Sequence, residues 1–157
     1  MISRQHTGFG AGVTSDCAAL HELVATMIAV AGPSIRLMRD PTRGGLAATL
    51  NEIAQQSQVG FRIAEADIPI KPAVAAVCEL LGLDPLNVAN EGKLVAVVDR
   101  AAAPTLIEAM RAHPLGRDAA AIGAVVEDPH RYVEMETKFG GQRIVDWLSG
   151  EQLPRIC

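Results

Sequence analysis

Apolar positions recur at helical spacing over four stretches of the chain and alternate, or run on, over several shorter ones. Leu20, Leu23, Val24, Met27 and Ile28 lie three or four apart, which predicts a helix to about Val30 with Ser15 and Asp16 ahead of it as N-caps. Gly32-Pro33 stops it. Ile35 to Met38 reads as a short strand, and a second helix opens at Gly44-Gly45 with Leu46, Leu50, Ile53 and Ala54 on its apolar face. Val59 to Ile63 alternates as a strand does. Pro72 suits the first turn of a third helix, whose stripe is Val74, Val77, Cys78 and Leu81 and whose C-terminal cap is Gly82. Lys93 to Val98 is the clearest buried strand, and Ala101 to Arg111 is a fourth helix. Ala121 to Val126 and Tyr132 to Thr137 read as strands, and Gly140-Gly141 as a hairpin turn into Gln142 to Val145.

Helices alternating with strands, and ending in a strand-rich section, predict one α/β (α+β) domain of three layers, with helices packed on a mixed β-sheet. Residues 1–14 are glycine-rich without periodicity and read as a loop or a truncated junction; 15–146 form the domain, and 147–157 a flexible tail.

Composition narrows the picture. A chain of 157 residues fits one domain. Aromatics are only 3 %, so Val, Ile and Leu must build the core. The net charge is −4 with the signs mixed, and no basic patch is interleaved with aromatics, so no nucleic-acid partner is expected. The longest apolar run, Ala18 to Ala31, is broken by His21 and Glu22 and falls short of the roughly 18 residues of a membrane span. No continuous apolar run marks a secretory signal. Three cysteines without a C-x-x-C pair point to a reducing cytoplasm.

Three stretches carry candidate chemistry. The chain ends Leu153-Pro154-Arg155-Ile156-Cys157, a terminal thiol behind Gly150 and Pro154. The α-carboxylate raises the pKa of such a thiol and Arg155 lowers it, so Arg155 tunes its nucleophilicity. An exposed cysteine that merely comes last is the plain alternative. Arg39-Asp40-Pro41-Thr42-Arg43-Gly44-Gly45 joins a strand to a helix. Free N–H groups and the helix dipole there favour an anion, Asp40 suits a cation or a turn, Thr42 can cap the helix, and Arg43 can fork onto a phosphate. An ordinary capped turn explains the same spacing. Asn90, Glu91 and Lys93 gather ahead of a strand, where Glu91 can serve as a general base or simply belong to a polar turn at Gly92. Cys17 and His21 are four apart but supply two ligands where zinc needs three or four, so no metal is assigned. Cys78 lies on an apolar stripe and reads as core. His113 and His130 carry no assignment, and Trp147 marks the start of the tail.

Taken together, Ser-Asp-Cys-Ala at 15–18, Arg-Asp-Pro-Thr-Arg-Gly-Gly-Leu at 39–46, Asn-Glu-Ile-Ala at 51–54, Val-Ala-Asn-Glu-Gly-Lys at 88–93, His-Pro-Leu-Gly at 113–116 and the terminal Pro-Arg-Ile-Cys resemble the HypE family of hydrogenase maturation proteins. That family sits in the aminoimidazole ribonucleotide synthetase and selenophosphate synthetase superfamily. The resemblance covers nearly the whole chain from about residue 13 and implies the C-terminal α/β domain of such a protein. By resemblance, Cys157 accepts a carbamoyl group from a HypF-like carbamoyltransferase. ATP-dependent dehydration then yields a thiocyanate, whose cyanide passes to iron on a HypC–HypD-like scaffold. Glu91 matches the position of the base. Asp40, Thr42, Arg43, Gly44 and Gly45, with Asn90 and Lys93, match positions facing the nucleotide phosphates or the tail. ATP with magnesium would be held mainly by an N-terminal domain, which also makes the family's homodimer, and no cofactor is expected tightly bound to this chain alone. The motifs leave open whether the chain by itself is an enzyme. They also leave open a non-catalytic carrier that presents the thiol, or another ATP-dependent synthetase of the superfamily.

Overall fold

The computed structural model describes residues 15–147. Four helices, α1 (His21–Ala31), α2 (Gly45–Ser57), α3 (Pro72–Leu81) and α4 (Ala103–Ala112), are interleaved with six strands. The strands are β1 (Ile35–Arg39), β2 (Gly60–Ala64), β3 (Val95–Val98), β4 (Gly123–Val126), β5 (Val133–Glu136) and β6 (Gln142–Ile144). The expected class, helices packed on mixed β-structure, is what the chain forms. The strands divide, however, into an antiparallel ribbon β1–β3 and a four-stranded mixed sheet in the order β4–β2–β5–β6. Its only parallel pair, β2 with β5, is central, and β4 and β6 flank it antiparallel.

The division follows from α2. Ala47, Leu50, Ile53 and Ala54 bury one face of that helix against Phe61, Ile63, Val133 and Met135 of the four-stranded sheet. Leu37, Val95 and Val97 of the ribbon pack onto the same core. Burial of each large aliphatic side chain contributes about 1.5–3 kcal/mol, so a helix with apolar contacts toward both sheets holds them apart as separate layers. The opposite face of the ribbon, Ile35, Met38, Ala96 and Val98, covers Leu23, Met27 and Ala31 of α1 and Leu106 of α4. The layers therefore run α1 and α4, ribbon, α2, sheet, one more than the three expected, because the strands form two sheets where one was expected.

β3 alternates cleanly between the two cores, as a period of two requires. β1 does not, because Ile35 and Met38 face the same side. The pairing Ile35 with Val98 and then Leu37 with Val97 contains a register shift between Ile35 and Leu37, and this irregularity flips the parity.

Two local expectations are corrected. α1 begins at His21 with no side-chain cap at its start, so Ser15 and Asp16 do not cap it; Ser15 Oγ instead accepts the Cys17 N–H at 3.3 Å. β3 is half-buried along its length, because a two-stranded ribbon shields less than a wide sheet does. Cys78 is buried as expected, and it is the one buried residue of α3, which ends at Gly82 in the left-handed conformation. Among the described residues no helix is long and apolar enough to cross a membrane.

Candidate functional site

β1 delivers the chain to the first turn of α2. Arg39 pairs with Glu52 of that helix, and Pro41 is buried beneath the turn. Gly44 and Gly45 follow with φ of +79° and +63°, both in the region that side chains resist. The Gly45 N–H donates to the Thr42 carbonyl at 3.0 Å, and no side chain caps α2. The expected Thr42 hydroxyl cap is thus replaced by its carbonyl, since two left-handed residues fold the backbone back on itself. Asp40 and Arg43 are exposed and Thr42 is half-buried. An uncapped helix start beside an exposed guanidinium is a donor set for an oxyanion.

Gly45 is glycine for a second reason. A Cβ there would lie 2.5 Å from the Leu86 carbonyl oxygen and 2.6 Å from that of Val88. The 3-10 turn Pro85–Asn87 therefore packs its backbone directly on the start of α2. Asp84 caps this turn, accepting the Leu86 N–H at 2.9 Å, and its other oxygen binds Arg143 Nη2 at 2.8 Å.

The chain then reaches Asn90, which is tied three ways. Its N–H donates to the Pro41 carbonyl at 3.0 Å and its Nδ2 to the Val88 carbonyl at 2.7 Å, while its Oδ1 accepts from Lys93 Nζ at 2.8 Å. Lys93 Nζ also donates to Asp16 Oδ2 at 2.9 Å. A Cβ at Gly92 would overlap the Asp16 carbonyl oxygen, so the segment around Asp16 lies flat on the Asn90–Lys93 turn. Glu91, between those anchors, is exposed and its side chain makes no hydrogen bond among the described residues.

Stretches separated by dozens of residues thus form one surface. It joins Asp40, Thr42, Arg43 and Gly44 to Asn90, Glu91 and Lys93, with Gly45 buried beneath the Leu86–Val88 backbone. Asp16 also belongs to it, although a Ser-Asp pair ahead of an apolar run reads locally as a helix cap. The signal that sets Asp16 apart is Gly92, and it is legible only once the two segments touch. Cys157 and Arg155 lie outside the described residues.

The surface is open. A shallow cavity of about 390 Å³ lies elsewhere, between α3, the Pro85 turn and β5–β6, lined by Cys78, Asp84, Leu86, Met135 and Arg143. Burial there, with the Asp84 charge adding, pushes the Cys78 thiol above its ordinary pKa, which suits a packing residue and not a nucleophile. Among the described residues no three His, Cys, Asp or Glu side chains are grouped to hold a metal ion.

The fold belongs to a known class of domain. The chain is a member of the AIR synthase related protein family, C-terminal domain, matching it over residues 1–136. It is 68 % identical over 157 residues to carbamoyl dehydratase HypE of Bradyrhizobium diazoefficiens, covering 100 % of this chain and 45 % of the relative. Among solved structures, the hydrogenase maturation protein HypE in complex with ATP matches with a TM-score of 0.88 and 43 % identity, over 99 % of this chain and 47 % of that one. A chain of a HypE–HypF complex matches with a TM-score of 0.86 and 40 % identity, over 93 % of this chain and 47 % of that one. The resemblance to HypE read from the motifs is borne out. This chain spans less than half the length of the curated relative.

Proposed function

We propose that this chain is the C-terminal part of a carbamoyl dehydratase serving nickel–iron hydrogenase maturation in the cytoplasm, and that Cys157 is its acceptor thiol. The observation that carries the proposal is the assembled surface. The Asn90 N–H on the Pro41 carbonyl and the Gly45 backbone against Leu86 and Val88 bring an oxyanion donor set beside an exposed carboxylate. Dehydration of an S-carboxamide requires both.

The Cys157 sulfur bonds the carbonyl carbon of a carbamoyl group supplied by a HypF-like partner; the bond from that carbon to its donor oxygen breaks with its electron pair leaving on the donor, and the thiol proton is released. In the second step R–S–CO–NH₂ becomes R–S–C≡N. The oxygen departs with the phosphoryl group and both N–H protons are lost. ATP, where bound, supplies the phosphoryl group that makes the carboxamide oxygen a leaving group. Glu91 takes a nitrogen proton. Arg43, the Thr42 hydroxyl and the Gly44 backbone N–H offer donors to phosphate oxygens, Gly45 shapes the turn that presents them, and Asn90 and Lys93 hold the turn that carries Glu91. Asp40, exposed at the end of β1, would offer a carboxylate oxygen to an accompanying magnesium.

These residues fit an anionic group but supply no nucleotide pocket of their own. Most of the ATP and magnesium contacts, and a homodimer interface, are therefore assigned to the preceding part of the longer relatives. Residues 15–146 act as the domain and 147–157 as the tail. The twelve residues beyond Val145 extend to about 40 Å at most, enough for one thiol to visit a donor, this surface and a HypC–HypD-like iron acceptor in turn. Arg155 favours the thiolate at the tail's tip.

The test is intact mass after mixing the chain with a HypF-type carbamoyltransferase, carbamoyl phosphate and ATP, beside Cys157→Ala. A single carbamoyl adduct, absent from the variant, supports the acceptor assignment; no adduct, with the partner active on full-length HypE, overturns it. Dehydration is tested in an enzyme rebuilt by joining this chain to the preceding part of the Bradyrhizobium relative. Loss of one water from the adduct, abolished by Glu91→Gln, supports the catalytic reading. An adduct that never loses water leaves the chain a carrier.

A further inference from the structure

Asp16 has no place in the chemistry above, yet two of its oxygens meet the turn that bears Glu91. Its carboxylate holds Lys93 Nζ at 2.9 Å, and its carbonyl rests where a Cβ of Gly92 would stand. Lys93 passes the constraint to Asn90 Oδ1 at 2.8 Å, and Asn90 is fixed through its N–H to Pro41. Glu91 is thus bracketed: Asn90 before it and Gly92 and Lys93 after it are all tied down, while its own side chain is left exposed.

We propose that Asp16 is a positioning residue for the dehydration step, acting through Lys93 to hold the Asn90–Lys93 turn in the orientation that presents Glu91. The inference rests on the reading of Glu91 as the base. Stability does not explain the pair, because the Asp16 and Lys93 side chains are 37 % and 50 % exposed, and such pairs contribute little to folding. Orientation does explain it. A general base misplaced by about an ångström loses up to roughly 100-fold in rate, and an exposed carboxylate on a turn has only the turn to aim it. The backbone contact at Gly92 survives any change of the Asp16 side chain, so a side-chain variant isolates the Lys93 link.

The experiment follows water loss per carbamoyl-loaded chain in the rebuilt enzyme. Asp16→Asn and Lys93→Ala are each expected to lower kcat by roughly 10- to 100-fold with KM for ATP and the melting temperature unchanged. Asp16→Glu is expected to recover part of the rate. Because Asp16 acts through Lys93, the double variant should be no slower than the slower single one. Wild-type dehydration in Asp16→Asn, while Glu91→Gln is inactive, overturns the positioning role and leaves Glu91 standing. Losses that multiply in the double variant, or that track a fall in melting temperature, also overturn it. A fully active Glu91→Gln defeats the underlying reading instead, and this inference with it.

Discussion

Asn51, buried in the middle of α2, donates through Nδ2 to the Val145 carbonyl at 2.8 Å and to the Ala47 carbonyl at 2.9 Å. The segment after β6 is thereby fastened to the helix whose first turn carries Gly44 and Gly45. Val145 is itself buried, and its N–H donates to the Val133 carbonyl at 2.8 Å. Val145 is therefore a fixed point on the body that bears the candidate surface.

Asn51→Leu keeps the bulk and removes both donors. The Val145 carbonyl, buried and without that partner, costs about 1–3 kcal/mol. Urea unfolding should show a lower midpoint with an unchanged slope. A midpoint equal to wild type would mean that the clamp contributes nothing.

Gly45 and Gly82 separate two reasons for a glycine. Both have positive φ, +63° and +66°, but a Cβ at Gly82 meets nothing within 4 Å, whereas at Gly45 it meets the Leu86 and Val88 carbonyls. Gly82→Ala should cost about 1–2 kcal/mol for the left-handed conformation alone. Gly45→Ala adds a clash between two backbones and should cost several kcal/mol more, of the order seen for severe strain. Equal losses in thermal unfolding would refute the close approach of the Pro85 turn to α2.

Most elements were legible because their signals are local. The stripe Leu50, Ile53 and Ala54, Pro72 at the start of α3, Gly82 at its end and the alternation of Phe61 and Ile63 all report through neighbours in the chain. What the sequence hides is non-local. Ser15-Asp16 ahead of Leu20 has the form of a cap, and only the meeting of Asp16 with Gly92 and Lys93 withdraws that segment from α1. The parity flip between Ile35 and Met38 belongs to a pairing with Val97 and Val98 some sixty residues away. The split into ribbon and sheet depends on α2 packing toward both. The candidate surface was legible as separate motifs, but their contact through Pro41 and Asn90 was not.

Asp128 gives a pH test. Backbone N–H groups of Tyr132 and His130 donate to its carboxylate at 2.9 and 3.0 Å and hold its pKa below the ordinary carboxylate value. The folded value being the lower one, the stabilisation is present above the unfolded pKa, about 3.9, and is lost as pH falls through the folded value. The stability gap between wild type and Asp128→Asn should be largest at neutral pH and shrink on acidification below about pH 4. A gap independent of pH would show that the carboxylate charge is not what those N–H groups recognise.

Cys17 and Cys78 offer the last comparison. Cys17 is exposed ahead of α1, and Cys78 is only 5 % exposed, with burial and the Asp84 charge keeping it in the thiol form. Alkylation proceeds through the thiolate at an accessible sulfur, so iodoacetamide at neutral pH should label Cys17 in the folded protein and spare Cys78. Peptide mapping assigns each site and keeps Cys157 separate. Cys78 labelling should rise with urea along the unfolding curve, because opening exposes its sulfur and removes the burial that disfavours its thiolate. Rapid labelling of Cys78 without denaturant would mean that α3, which buries only this residue, opens independently of the rest of the domain.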